Sequence, residues 1–282
     1  MTFIESFDGI KLYYETSGAG KPLVFSHAWM THHGFFKHQI EFFQRDYQTI
    51  AHDTRGHGQS EYSSKNYRIE TFAKDLNLIL EHLNIEKAVF LGHSMGGHIS
   101  LSFYSQFPEK VEALILIDTT YKSPFESYIP GGQLYNPFLK ATLRGSRLLS
   151  QIINPSKKLA RKNLVYRALV KYMIHSGPKS KSDDVKLLED SLLDVPHEVA
   201  TLAVEAMMDL NFEKLLPKIA VPTLIICGTI DWLSPLYVSQ RMAKKIKKAE
   251  LFTLNRIGHM SMMDSSVEVN QKLREFLNKI NY

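Results

Sequence analysis

The sequence predicts an α/β fold, a mostly parallel sheet flanked by helices, with a helical piece inserted between two of its strands. Three observations predict it. Short apolar runs rich in Val, Ile and aromatics alternate with longer segments of helical period, which is the signature of βαβ units. Two of the runs, LILI at 114–117 and LIIC at 224–227, are continuously apolar, as strands covered on both faces must be. Over residues 121–212 the strand signal disappears, and a structureless loop of that length is improbable in a compact domain.

In chain order, the strand candidates are KLYYETS at 11–17, PLVFS at 22–26, YQTIAHD at 47–53, KAVFLG at 87–92, VEALILID at 111–118, PTLIICG at 222–228 and AELFTL at 249–254. Between them, Phe72, Leu76, Ile79, Leu80 and Leu83 recur at helical spacing and predict a one-faced amphipathic helix over 69–83. Pro124, Pro130, Gly131, Gly132, Pro137, Pro155, Gly177, Pro178 and Pro196 divide the strand-free stretch into helix-sized pieces such as NPFLKATLRGSRLLSQII and HEVATLAVEAMMDL. The last helix is expected to start near Ser265, where S-S-V-E fits a capping box of Ser265 with Glu268. The domain expectation is therefore a core of residues 1–120 and 213–282 with a helical cap at 121–212.

Composition narrows the function classes. With 282 residues, 44% of them apolar and 22% charged, the chain is too apolar for a disordered segment and too long to need disulfide or metal staples. It has no apolar run of membrane-spanning length, and its first residues carry acids where a signal peptide would not, so a soluble, cytoplasmic protein is expected. The single Cys227 lies in an apolar run and reads as a small buried hydrophobe. The net charge of +5 is concentrated at residues 140–171, which hold nine Lys or Arg and no acid. This reads first as a solvated helical face and second as a weak lipid-surface contact, with no nucleic-acid partner expected.

The chemistry is carried by a few residues. The strand KAVFLG runs directly into G-H-S-M-G-G at 92–97, and a helical segment follows. A strand, a sharp turn and a helix are what hold a serine exposed, which makes Ser94 a candidate nucleophile at a helix N-terminus. A serine hydroxyl needs a base, and an imidazole base needs an acid to set its tautomer. His259, in the loop after the last strand, is the candidate base. Asp231, just after LIIC, is the candidate acid, with Asp118 at the end of LILI as its competitor; both lie at carboxyl ends of strands. The histidines His27, His32, His33 and His38 lack the spacing of a metal site, and the G-x-G at 56–58 lacks the third glycine of a dinucleotide site, so neither metal nor cofactor is expected.

The order Ser94, Asp231, His259, together with D-T-R-G-H-G-Q-S at 53–60, S-H-A-W-M at 26–30, G-T-I-D-W-L-S-P at 228–235 and G-H-M at 258–260, resembles the α/β-hydrolase superfamily. The likeness is to its lid-bearing branch of serine esterases, lipases and perhydrolases, and covers nearly the whole chain. It implies an eight-stranded sheet, an oxyanion hole from the backbone N–H groups of Trp29 and Met95, and substrate contacts from Trp232, His93 and Met260. Ala28 departs from the pattern, which usually has Gly there, and its methyl group restricts the backbone of that loop. Serine in place of the aspartate used by dehalogenase and epoxide-hydrolase relatives points to acyl transfer. The expected activity is cleavage of a small-molecule carboxylic ester with an apolar acyl or aromatic group. Lactone, carbon–carbon or perhydrolysis chemistry on the same triad, or a ligand receptor on the same fold, are the alternatives.

Overall fold

The structure, a computed structural model, describes residues 2–123, 136–160 and 163–282. Pro124, Pro130, Gly131, Gly132, Arg161 and Lys162, and the side chains of Lys158 and Pro178, on which sequence readings fall, lie outside the described residues.

Strands β1 (Thr2–Glu5), β2 (Lys11–Ser17) and β3 (Pro22–Ser26) are followed by helix α1 (Lys37–Phe43), β4 (Gln48–His52), α2 (Ile69–His82), β5 (Ala88–His93), α3 (Met95–Gln106) and β6 (Val111–Ile117). After β6 come the inserted helices α4 (Asn136–Arg147), α5 (Ser150–Ala160), α6 (Leu164–Leu169), α7 (Ser182–Asp194) and α8 (His197–Met207). The chain then returns through β7 (Thr223–Gly228), α9 (Leu236–Lys245), β8 (Ala249–Leu254), α10 (Ser261–Asp264) and α11 (Ser266–Lys279). The eight strands form one sheet in the order β1-β2-β4-β3-β5-β6-β7-β8. β1 and β2 are antiparallel to their neighbours, and β3 to β8 run parallel.

Both faces of the central strands β5, β6 and β7 are buried, which is why they read as nearly unbroken apolar runs, whereas β8 at the sheet edge is half-buried. On β3, Val24 packs into a layer with α2, α3 and α9, while Leu23 and Phe25 point into the opposite layer with α1 and α11. The apolar stripe of α2 is buried through Phe72, Leu76, Ile79 and Leu80. β1 has no apolar run in the sequence because it is an edge strand whose residues are mostly exposed.

Three local readings are corrected. Pro155 does not end a helix but lies inside α5; its ring is exposed, away from the neighbouring helices. The segment 136–153 is two helices, broken at Leu148–Leu149. Ser265 makes no side-chain bond to the first-turn backbone of α11; its hydroxyl bonds the Glu268 carboxylate instead, because Ser265 closes α10 through its own N–H to Ser261. No described helix is long and apolar enough to cross a membrane.

The two ends of the insertion meet at the sheet. Lys122 pairs with Asn211, Phe212 N–H donates to Tyr121 O at 2.7 Å and Ser123 N–H to Leu210 O at 2.8 Å. The inserted helices thereby leave from, and return to, the carboxyl edge of the strands, where Ser94, Asp118, Asp231 and His259 also sit.

Candidate active site

Ser94 occupies the turn between β5 and α3 with φ 52° and ψ −115°, a strained backbone that costs a non-glycine residue about 1–3 kcal/mol. Glycines permit the turn. A Cβ on Gly92 would lie 2.3 Å from Gly96 O, and one on Gly96 would lie 1.9 Å from Ser26 O, so helix, elbow and β3 could not approach as they do. The strain is held by the Ser94 N–H bond to Ile117 O at 3.0 Å and by Thr119 Oγ1, which donates to Ser94 O at 2.7 Å. Met95 is the first residue of α3, so its N–H has no intrahelical acceptor.

His259 is buried, with Nδ1 2.9 Å from Asp231 Oδ2. That contact makes Nδ1 the protonated nitrogen and leaves Nε2 as the basic one. Asp231 Oδ1 accepts from Leu233 N–H at 2.7 Å and Ser234 N–H at 2.9 Å, so the carboxylate is held on both oxygens. Burial pulls the His259 imidazole toward its neutral form, but the charge and hydrogen bond of Asp231, aided by Asp118, outweigh it and raise its pKa above the ordinary value.

Asp118, the competitor, is fully buried and faces other partners. Its Oδ1 accepts from Gly228 N–H at 3.1 Å, and its Oδ2 from Ser261 N–H at 3.0 Å and Ser261 Oγ at 2.6 Å. Burial, with Asp231 nearby, pushes its pKa up to about 7. Asp118 therefore ties the end of β7 to the start of α10, the two segments that carry Asp231 and His259.

The histidine loop is also tied to the insertion, which no motif in the sequence signals. His259 N–H donates to Ile174 O at 2.9 Å, and Gly258 N–H donates to Ser176 Oγ at 2.8 Å. Ser176 in turn donates to Asp264 Oδ2 at 2.6 Å, while His175 Nδ1 lies 2.8 Å from Asp264 Oδ1. On the other side, His93 Nε2 donates to His259 O at 2.7 Å. These partners are 80 to 170 residues apart in the chain, and only folding brings them together.

A cavity of about 380 Å³ opens at this point, and Ser94 and His259 both line it. Ala28, Trp29 and Met260 come from the core; Ile174, Leu188, Leu192, Val204 and Met207 come from the insertion. Of the expected substrate contacts, His93 and Met260 are on its wall. Trp232 is not: it is 66% exposed, because the turn closed by the Asp231 carboxylate directs Leu233 and Ser234 to the cavity instead. Met262 and Met263 are core residues, as is Phe35. Ala28 carries no left-handed strain; the positive φ of that loop falls on Met30, at 57°.

The other motifs are structural in what they touch. Arg55 of D-T-R-G-H-G-Q-S is fully buried and bonds Asp75 through Nε at 2.7 Å and Asp8 through Nη1 at 2.9 Å. His32, His33 and Asp53 bring possible ligand atoms together, and in the structure His33 Nδ1 bonds Asp53 Oδ1 at 2.8 Å while His32 caps Gly34 N–H.

The model of the alpha/beta hydrolase fold family matches residues 21–266, and the chain belongs to that family. It is 25% identical to the AB hydrolase superfamily protein YisY of Bacillus subtilis over 98% of both chains. It is 26% identical to 3-oxoadipate enol-lactonase 2 of Acinetobacter baylyi, over 96% of this chain and 95% of that one. A solved thermophilic esterase from Thermogutta terrifontis superposes over 100% of each chain with a TM-score of 0.82 at 23% identity, a likeness of fold.

Proposed function

We propose that the protein is a serine hydrolase that cleaves carboxylic esters, lactones included, through an acyl-enzyme on Ser94. One observation carries the reading: a serine in a strained strand-to-helix turn shares a cavity with a buried histidine whose far nitrogen bonds a carboxylate. In this reading His259 Nε2 takes the Ser94 proton as the oxygen attacks the acyl carbon, then gives it to the leaving alcohol. Asp231 keeps the imidazole in the needed tautomer and stabilises its cation. The backbone N–H groups of Trp29 and Met95 are assigned to the oxyanion, where one donor is worth about 10² to 10³ in rate. Water then deacylates Ser94, and the inserted helices serve as the cap over the acyl group.

The cavity wall supports an apolar substrate, since most of its residues are aliphatic or aromatic. It also bears on a lactone substrate like that in the name of the Acinetobacter relative. An adipate lactone carries a carboxylate, and no Lys or Arg is among the described residues lining this cavity. A neutral ester or lactone is the better match. The test is hydrolysis of p-nitrophenyl esters from acetate to palmitate at pH 8. We expect turnover that falls at least about 10⁴-fold in Ser94→Ala. Retained turnover in that variant would remove Ser94 from the mechanism.

A further inference from the structure

We propose, building on the serine-hydrolase reading and its oxyanion assignment, that Ser191 is a positioning residue for the oxyanion hole. From the inserted helix α7 its hydroxyl holds the turn that aims the Trp29 N–H at the reacting carbonyl oxygen.

The turn spans Ala28 to Thr31, and Thr31 N–H donates to Ala28 O at 3.3 Å. Its first carbonyl is fixed by the core. Thr31 Oγ1 donates to Ala28 O at 2.9 Å. His27, whose Nε2 accepts from Thr54 N–H at 2.9 Å, is thereby protonated on Nδ1 and donates to Ala28 O at 2.8 Å. In a trans peptide the N–H points opposite to the preceding C=O, so these bonds turn the Trp29 N–H away from the donors that hold Ala28 O. That N–H has no acceptor among the described residues, and Ala28, Trp29 and Thr31 line the cavity that Ser94 shares.

The second half of the turn is strained. Met30 has φ 57°, where a turn ordinarily places glycine or asparagine. A methionine persists there only when its surroundings over-determine it. The bond on its carbonyl comes from the insertion: Ser191 Oγ, buried on α7, donates to Met30 O at 2.7 Å. Serine is a poor residue for a helix interior, where its hydroxyl tends to bond its own helix; here it reaches a carbonyl 161 residues away in the chain. A second tie runs from Trp29 itself, whose indole Nε1 donates to Ala200 O on α8 at 2.9 Å. Leu188 and Leu192, near Ser191 on α7, line the cavity. One helix therefore lines the substrate site and holds the turn of the oxyanion donor, while Ile174 and Ser176 of the same insertion hold the loop of the base.

The test is Ser191→Ala assayed with p-nitrophenyl butyrate. We expect kcat to fall about 10- to 100-fold with KM within a few-fold, because the Trp29 N–H acts on the oxyanion more than on the bound ester. The pH–rate midpoint should stay at its wild-type position, since His259 and Asp231 keep their contacts. The Ki of a trifluoromethyl ketone, whose adduct on Ser94 carries an oxyanion, should rise in step with the loss of kcat. Ser191→Thr, which keeps the hydroxyl, should recover most of that loss. A kcat within about twofold of the wild type in Ser191→Ala, a moved midpoint, or an unchanged Ki would overturn the assignment. Should Ser191→Ala not fold, Ser191→Cys, with a weak donor of similar size, is read in the same way. Absence of turnover with every ester in the wild type would instead count against the hydrolase reading. The tie is then read from amide hydrogen exchange over residues 28–31, which Ser191→Ala should speed by about tenfold or more; equal exchange in the two proteins would overturn it.

Discussion

The strand ends and the helices inserted after β6 are held by different forces. At the strand ends, few groups are left to choose: both oxygens of Asp118 and Asp231 are bonded, and His259 is fixed through its N–H, its C=O and its ring. The first inserted helices are held at their margin. Arg144 and Arg147 reach Glu205 at 2.6 and 2.9 Å, Lys140 pairs with Asp209 and Arg167 with Glu189, while Phe138, Leu148, Ile152 and Leu164 stand 71–86% exposed. Ion pairs at a surface are individually worth about 1 kcal/mol or less. The groups around Asp231 and His259 are thus over-determined, whereas α4–α6 meet the rest of the fold through ion pairs and leave large apolar side chains exposed. Four of the basic residues at 140–171 thereby find carboxylate partners, at Glu189 on α7, Glu205 on α8 and Asp209 just beyond it.

The largest effect is expected from Asp231→Asn, which should lower kcat about 10⁴-fold by destroying the tautomer. Because the base must be neutral, wild-type activity should rise with pH through a midpoint above 6.5, and removal of the Asp231 charge lets burial dominate and moves the midpoint down. A pH–rate profile from 5 to 9 reads both, and an unmoved midpoint would detach Asp231 from His259.

Next come Ser176→Ala and Asp264→Ala, which release the histidine loop from the insertion. A loss of about 10- to 100-fold in kcat, with KM for a short ester within a few-fold and an unchanged circular dichroism spectrum, is expected of a misplaced base. An unchanged kcat would show that the loop holds His259 without the insertion.

The smallest effect belongs to the outer face. Leu148→Ser should change stability by no more than about 0.5 kcal/mol, against about 2–5 kcal/mol for Ile225→Ala in β7, as read from urea midpoints. A large loss in Leu148→Ser would mean that this face is covered in solution.

What could be read from the sequence was local. Strand runs mark themselves because a strand buried on both faces has no room for polar residues, and the Ser94 elbow marks itself because glycines must flank it wherever helix and strand touch. Asp231 and Asp118 could be ranked but not separated. Each follows an apolar strand, and the difference lies in which carboxylate reaches the imidazole, a matter of ångströms between segments. The exposed β1 left no pattern because an edge strand needs none, and Trp232 misled because an aromatic beside an acid says nothing of which way the turn faces.

The order of the strands from β2 to β8, the serine turn and the places from which an acid and a base could come are written in the spacing of neighbours along the chain. That Asp231 holds His259 while Asp118 braces the loops, that Ile174 O takes the His259 N–H and that Ser176 takes the Gly258 N–H beside it are visible only in the folded chain. Hydrogen bonds between distant segments depend on directions and distances of a few ångströms, and these exist only after the sheet has brought its strand ends together.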